Sequence, residues 1–495
     1  MDKIYLSKTY TYDVIFSEQS FGHLILSPKG IIVTQNIRQN SISFANREGM
    51  DILQCTIQPN NIPVTLFNLR HISEKSVVST TLLDINSNVT YGCEFAIIGH
   101  HYQNINEINI RKINIQQNTI RQWIGINYIN INWDVPTTTI IINIPSAPQI
   151  IYEQNLNDFN FSIKFIPTFN TNSYNDERYE TSYEVDFSFN TVKNLETSLQ
   201  YINKWQILYS LFTGQINNFD NISFSIPIEN PITEEEEKEV MKQNIMKTFN
   251  GAEENIVNQF VNNQSEELPK LFFYMPFPNA YAEQLHFSQV PISYKHIEAL
   301  FGDILEKWFN LDDNLSQTII YFFESLDKNK DIVQRFLSTV KLVEGFTEKY
   351  SETYFPEDEM NDIKNFIKDK LKEYFDDNNN KVINDFTNAL KYTNKSKLNL
   401  EAKINKLISY NNVDYLNLNK NLINTATKYR NTLSHSVNRN RMEEVEFIVL
   451  YECYLKFLTL GFVLLWKFLE IPHKIANNGL KMLKQYQELK VNNCL

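Results

Sequence analysis

Alternating apolar and polar positions dominate the chain up to about residue 190. The alternating runs are rich in β-branched residues and are bounded by Asn, Gly and Pro, which is the pattern of half-buried strands. They lie at residues 23–33, 51–68, 77–85, 107–115, 121–131, 137–144, 159–165 and 183–189. Short strands at regular spacing are typical of a sandwich or a barrel. The sequence therefore predicts a β-rich front region of that kind.

The period of the pattern changes farther along the chain. One helix is predicted at 192–212, where Gly214 ends it, and from about residue 312 the apolar residues recur with the 3.6-residue period of helices. Within residues 360–374, for example, an apolar stripe faces a charged one. Further helices are predicted at 332–350, 382–392, 398–409, 415–435, 442–469 and 475–489. The expected fold class is α+β, with an all-α helical bundle after the β-rich region.

Prolines and a helix-capping motif along the chain predict that it is divided into four regions. Pro145 and Pro148 end the first group of strands, and a capping box formed by Thr233 and Glu236 opens a later helix. The expected parts are a β-rich domain at 1–145, a second β-rich segment with a helix at 146–230, a helical connector at 231–311 and the helical bundle at 312–495.

Charge restricts where a nucleic acid could bind. The whole chain has a formal charge of -12, but residues 401–495 contain 13 Lys and Arg against 8 Asp and Glu, which leaves -17 on the first 400 residues. Binding of nucleic acid depends on cations that neutralise phosphates. Only the C-terminal part is therefore suited to RNA.

Cysteine usage and hydropathy favour a cytoplasmic protein. The four cysteines form no CxxC pair, so neither a zinc site nor a disulfide framework is indicated. The first residues contain no apolar stretch typical of a secretory signal. The apolar run at 457–466 has ten uncharged residues, whereas a membrane span needs about 20. We expect a buried helix there and no membrane contact.

Arg430, Asn431 and His435 form an R-N-x3-H arrangement at the end of a predicted helix. Asn431 and His435 are four residues apart and share a helix face, and the Arg430 side chain is long enough to reach it. A neutral imidazole can take the proton of a ribose 2'-hydroxyl, and a guanidinium can hold two phosphate oxygens as negative charge builds. The arrangement predicts metal-free RNA cleavage, with a 2',3'-cyclic phosphate and a 5'-hydroxyl as products.

In this hypothesis His435 is the general base, Arg430 stabilises the phosphate and Asn431 orients the site. Neighbouring residues of the same basic segment are expected to bind RNA; they are Lys428, Ser434, Arg439 and Arg441. No metal and no cofactor are required. The sequence contains no P-loop, no GxGxxG and no G-x-S-x-G, so nucleotide hydrolysis and serine hydrolase chemistry are not indicated.

The stretch from Lys428 to Val437, followed by an apolar helix, resembles the signature of the HEPN superfamily, an R-x4-6-H motif with a polar residue after the Arg. The layout of the entire chain resembles the ApeA family of bacterial antiphage proteins, in which a β-rich ApeA domain precedes a HEPN domain. Supporting stretches lie at residues 52–57, 64–68, 205–215 and 342–346.

The resemblance implies a toxin-like endoribonuclease of an abortive-infection system that stays latent until a phage-encoded trigger protein appears. It also implies a homodimer through the HEPN domain, since HEPN modules usually pair, and a second His435 would then serve as general acid. The RNA substrate stays open, with tRNA as one candidate class.

Alternatives remain at this stage. A non-catalytic HEPN module that binds RNA or a nucleotide as a sensor or scaffold is the second hypothesis, and a β-sandwich ligand binder with a helical oligomerisation tail is the third. For Glu344, an exposed helix carboxylate is favoured over a residue that orients Arg430. A structural role is also favoured over a metal cluster for a set of dispersed side chains in the front region, namely Cys55, His71, Cys93, His100 and His101.

Overall fold

The chain forms two compact units. The first comprises Met1–Tyr209, Asn217–Phe287 and Ser293–Gly302, and the second comprises Ser210–Ile216, Ser288–Ile292 and Asp303–Leu495. The computed structural model describes residues 8–17, 20–39, 51–78, 85–126, 130–134, 139–143, 145, 147–170, 178–227, 270–274, 285–347, 357–374, 380–393, 400–411, 418, 420–435 and 446–491. The predicted capping box at Thr233 and Glu236 lies outside these residues.

The first unit is built on antiparallel strands. Their bounds are β1 (Tyr10–Ser17), β2 (Ser20–Ser27), β3 (Gly30–Gln39), β4 (Ile52–Ile57), β5 (Ile62–Phe67), β6 (Arg70–Val78), β7 (Ile85–Cys93), β8 (Phe95–Ile98), β9 (Asn109–Gln116), β10 (Asn130–Asp134), β11 (Thr139–Asn143), β12 (Gln149–Asn155), β13 (Phe159–Asn170), β14 (Arg178–Asn194), β15 (Asn221–Ser225) and β16 (Lys270–Tyr274). Fourteen of them are hydrogen-bonded in the order β12-β13-β14-β9-β15-β16-β8-β5-β4-β1-β2-β3-β7-β6, and β10 pairs with β11. The β-rich character of the front region is confirmed, as one large antiparallel sheet. The sandwich or barrel form stays a prediction.

One face of the sheet supplies an apolar core, and the other is more exposed and carries both polar and apolar side chains. In β2 the side chains of Leu24 and Leu26 are fully buried, while His23 between the neighbouring buried positions is exposed. This is the two-residue period that the sequence pattern predicts. Farther along the sheet, Ile163 on β13 and Val185 on β14 form a directly opposed buried pair. Cross-strand pairs of this kind fix the register.

A buried carboxylate lies among polar side chains of β9, β13 and β14. Asp186 on β14 lies 3.0 Å from Nζ of Lys112 on β9 and 2.9 Å from Nζ of Lys164 on β13, and Asn114 donates a hydrogen bond to it at 2.7 Å. Burial alone would raise the pKa of Asp186, but the two ammonium groups and the hydrogen bonds outweigh burial and hold this pKa below its ordinary value. Asp186 thus joins three neighbouring strands in its ionised form.

Three predicted strands of the first unit were wrong. The run at 23–33 spans the end of β2 and the start of β3, which pair as an antiparallel hairpin. The run at 121–131 contains a short helix, α1 (Ile120–Ile124), which ends at Gly125 with φ 68°. Its Trp123 is buried edge-on against Trp205 and Tyr209, so tertiary packing outweighs the strand propensity of the aromatic and β-branched residues. The run at 77–85 spans the end of β6 and the start of β7, which are separate strands.

In the described part of the chain, the other α-helices are α2 (Leu195–Thr213), α3 (Tyr294–Ile297), α4 (Phe301–Phe309), α5 (Asp313–Leu326), α6 (Ile332–Thr347), α7 (Glu357–Tyr374), α8 (Asn380–Thr393), α9 (Leu400–Asn411), α10 (Lys420–His435), α11 (Phe447–Phe468), α12 (His473–Met482) and α13 (Lys484–Val491). Gly214 follows α2 with φ 76°, a left-handed conformation that glycine adopts without a steric penalty. The helical bundle and the α+β class are confirmed. The last predicted helix is two helices, interrupted at Leu483. The four predicted domain boundaries stay predictions.

α11 is the central helix of the second unit. It packs against α5, α6, α10, α12 and α13, and most of its side chains are buried. By length and composition it could cross a membrane, but 78% of its most apolar 18-residue window is buried inside the protein. A core helix passes the same test of length and hydropathy. The prediction of a buried helix is confirmed, and the helix is longer than the ten-residue run that predicted it.

Candidate active site

α10 carries the R-N-x3-H arrangement and packs on the bundle through its apolar face. Ile423, Ala426 and Tyr429 are buried on that face, and α10 packs against α6, α9 and α11. The opposite face is polar and exposed. The helical backbone continues through His435, so the whole R-N-x3-H arrangement is helical as predicted.

Arg430 lies at the border between the two faces and is held by two partners. Its Nη2 lies 3.1 Å from Oε1 and 3.5 Å from Oε2 of Glu344 on α6. Its Nη1 donates a hydrogen bond to Oδ1 of Asn431 at 3.1 Å. The side chains of Arg430 and Glu344 retain 34% and 26% of their exposure. The guanidinium is therefore oriented by a carboxylate and an amide while one side of it is open to solvent.

The position of Glu344 depends on the close packing of α6. A Cβ at Gly345 would overlap the side chain of Thr318 on α5, and a Cβ at Gly461 on α11 would overlap Leu342. Both glycines allow the helix backbones to approach closely. Because these two contacts lie within two residues of Glu344, they fix the part of α6 from which the carboxylate reaches Arg430.

A hydrogen bond next to Arg430 connects α10 to the start of α11. The backbone N–H of Glu446 donates to the hydroxyl of Tyr429 at 3.3 Å. The first N–H groups of a helix have no partner within the helix, so this hydroxyl satisfies one of them near the first turn of α11. Arg430 follows Tyr429 directly, and the start of α11 is thereby attached beside the candidate site.

The other predicted site residues have the following places. Lys428, Asn431 and Ser434 are exposed on α10. His435 is the last residue of α10, and its side chain lies outside what the structure describes, as do Arg439 and Arg441. The structure thus brings Arg430 and Asn431 together directly.

Glu344 is the residue whose role was underestimated from sequence. The favoured interpretation, an exposed helix carboxylate, is wrong, because Glu344 is partly buried and paired with Arg430. The only sequence signal was its position on a helix of the same bundle.

The dispersed Cys and His residues of the front region have structural contacts. Nε2 of His101 lies 2.9 Å from the carbonyl oxygen of Cys55, and the ring of His100 packs on Tyr102. Burial, with a smaller effect of Cys93, raises the pKa of the Cys55 thiol to about 12. Such a thiol stays protonated at neutral pH. Among the described residues, no group of three or more His, Cys, Asp and Glu side chains is arranged to hold a metal ion.

The comparisons with known proteins concern mainly the first unit. The family model described as ApeA N-terminal domain 1 matches residues 17–308, which is more than half of the chain. No curated protein matches the chain, and no solved structure does.

Proposed function

Since the chain belongs to the ApeA family, a family of antiphage defence proteins, we propose that it is a metal-independent HEPN endoribonuclease, the toxin-like effector of an abortive-infection system. The observation that carries this proposal is the arrangement around Arg430. A guanidinium held by Glu344 and Asn431 lies on the same helix that ends at His435.

The proposed chemistry needs a base and a fixed cation. His435 takes the proton of a ribose 2'-hydroxyl, and the freed oxygen attacks the adjacent phosphorus, which expels the 5'-oxygen of the next nucleotide. Arg430 donates hydrogen bonds to the phosphate oxygens as their charge increases. Glu344 and Asn431 restrict the guanidinium to one orientation, so less reorganisation is required when the substrate binds.

The expelled 5'-oxygen needs a proton from a general acid. We propose that the partner copy of a homodimer supplies it from its own His435, and that Lys428, Ser434, Arg439 and Arg441 bind the RNA backbone. RNA, with tRNA as one candidate class, is the proposed substrate, and a phage-encoded protein is the proposed trigger. The proposed location is the cytoplasm.

A second candidate function is a non-catalytic HEPN sensor or scaffold that binds RNA or a nucleotide. The specific observation in its favour is again the ion pair, because a guanidinium that is engaged by Glu344 at 3.1 Å has already satisfied part of its hydrogen-bonding capacity within the protein. A scaffold would use the same pair to join α6 to α10.

Mapping of RNA 5'-hydroxyl ends in phage-infected cells distinguishes the two functions. We expect new ends with the wild type and none with His435→Ala. His473→Ala is the matched control, since His473 belongs to the same unit and is exposed on α12; it should cleave like the wild type. Identical end profiles in all three strains, with phage protection intact, would establish the non-catalytic alternative.

A further inference from the structure

Two short segments within the family-matched region belong to the helical unit although they precede its continuous part, which begins at Asp303. The match covers residues 17–308, yet Ser210–Ile216 and Ser288–Ile292 cluster with the C-terminal helices. We call these two stretches the inserted segments. The first contains the last turn of α2 and the glycine that follows it.

Within the helical unit, C-terminal helices and the second inserted segment cap the carbonyl groups of the first inserted segment. The last carbonyl groups of a helix have no partner within it. Here Nε1 of Trp466, on the last turn of α11, donates a hydrogen bond to the carbonyl oxygen of Leu211 at 3.2 Å. The backbone N–H of Ile292 donates to the carbonyl oxygen of Phe212 at 3.0 Å. Nε2 of Gln485 on α13 donates to the carbonyl of Gly214 at 3.2 Å. The two inserted segments and two C-terminal helices therefore share one set of hydrogen bonds.

The same place is closely packed. A Cβ at Gly214 would lie 2.9 Å from the side chain of Leu483 and 3.3 Å from that of Pro291, and a Cβ at Gly479 would lie 2.8 Å from the carbonyl oxygen of Pro291. Since one added carbon would already overlap its neighbours, the backbones approach closely here, and a shift of the inserted segments toward α12 and α13 would displace those helices. We call the two inserted segments together with their contacts to Trp466, Gly479, Leu483 and Gln485 the capping joint.

α11 leads from the capping joint to the candidate site. Trp466 lies in its last turn, and Glu446, at its start, donates the hydrogen bond to Tyr429 beside Arg430. A buried helix moves as a rigid element, so a displacement at one end is carried to the other. Every contact in this series lies within the helical unit.

We propose that the capping joint is a regulatory device through which the inserted segments control the position of Arg430, with α11 as the connecting element. This rests on the proposed ribonuclease function for its biological meaning and on the contacts above for its mechanics. The joint keeps the site in its resting arrangement, and a change in the inserted segments releases α11.

Hydrogen–deuterium exchange of the purified full chain tests the mechanics without any cleavage assay. Gln485→Met removes the donor to Gly214 while keeping the size of the side chain, and Gln485 Oε1 has no hydrogen-bond partner among the described residues, so little else is lost. Gln487→Met is the matched control on the same helix, since Gln487 donates to the carbonyl of Lys481 on α12 instead.

We expect amide exchange in the last turn of α10 to become roughly fivefold faster in Gln485→Met, which is the effect of one lost hydrogen bond on an opening equilibrium. Gln487→Met should leave α10 unchanged. Trp466→Phe, which removes the donor to Leu211, should reproduce the effect. Faster exchange confined to residues around Gly214 and α13 would overturn the proposal.

A second experiment tests whether the capping joint regulates cleavage. It measures the number of RNA 5'-hydroxyl ends after phage infection divided by the number before infection. Gln485→Met should lower this ratio by raising cleavage before infection. An unchanged ratio, or an equal loss of cleavage before and after infection, would overturn the regulatory role. If the wild type generates no ends, the ribonuclease function fails, and the exchange experiment still decides whether the joint acts on α10.

Discussion

Replacing Glu344 with glutamine removes the charge that holds Arg430 and keeps the shape of the side chain. The amide introduced by Glu344→Gln would still offer one carbonyl oxygen to the guanidinium, but the ion pair at 3.1 Å and the second contact at 3.5 Å would be lost. Arg430 would then be held mainly by Asn431. The substitution therefore separates the orientation of the guanidinium from the packing of α6.

The expected cost in stability is small. Exposed ion pairs contribute about 0–1 kcal/mol, and breaking a fully buried one costs about 3–5 kcal/mol. The side chains of Arg430 and Glu344 are 34% and 26% exposed, so the pair lies between these two cases. We expect Glu344→Gln to lower the free energy of unfolding by about 1 kcal/mol, which corresponds to about 3 °C in the Tm of the helical unit. If a freely rotating Arg430 loses about 1.4 kcal/mol of transition-state stabilisation, cleavage falls about tenfold.

Glu324→Gln provides the matched control. Glu324 on α5 pairs with Lys330 at 3.0 Å with similar exposure in the same unit, and it makes no ion pair with Arg430. It also accepts a hydrogen bond from Ser338 on α6 at 3.0 Å, so its loss likewise perturbs a contact of α6. Both variants should lose similar stability in thermal unfolding followed by circular dichroism. Only Glu344→Gln should reduce the 5'-hydroxyl ends in infected cells. Equal cleavage by the two variants would refute the orienting role of Glu344.

Further expectations concern the packing of the bundle, the buried carboxylate of the sheet and the chemistry. Gly461→Ala places a methyl group against Leu342 and should destabilise the helical unit by about 1–3 kcal/mol in urea titrations; recovery in combination with Leu342→Ala is the check. Asp186→Asn should cost about 2 kcal/mol at neutral pH, because Lys112 and Lys164 lose their counter-charge. The Asp186 pKa is lowered in the fold, so its stabilisation is present above the ordinary carboxyl pKa and is lost as the pH falls through the lowered value; a stability difference between wild type and variant that is constant from pH 7 to strong acid would contradict this. EDTA should leave RNA cleavage unchanged, and its abolition by EDTA would exclude metal-free chemistry.

Local sequence patterns were sufficient to predict the fold class. They were not sufficient to predict which strands lie next to each other in the sheet. Alternation predicted β4, β5, β9, β11, β13 and β14 as separate strands. It did not predict their neighbours, since β9 lies between β14 and β15, which are distant from it in sequence. Such pairings depend on long-range packing that no local window contains. Trp123 shows the opposite limit, because a strand-like run became a helix when its indole was buried among other aromatic rings.

The candidate site was predictable to the extent that it lies on one helix. Arg430 and Asn431 are adjacent in sequence, and helical geometry brings them to one place. Glu344 comes 86 residues earlier and reaches Arg430 only because α6 packs against α10. The small residues that allow α6 to approach its neighbours, Gly345 and Gly461, have no recognisable pattern before the helices are assembled.

The buried Lys456 of α11 has a consequence for the synthesis of the chain. It lies in the middle of a helix of 22 residues, where it is paired with Glu452 at 3.1 Å. Insertion of a nascent helix into the membrane by the translocon depends on the composition of the helix. A lysine at the centre disfavours this insertion by about 3 kcal/mol. A helix apolar enough for a lipid bilayer thus carries a charge that opposes mistargeting as it leaves the ribosome. In the finished fold, Glu452 compensates that charge.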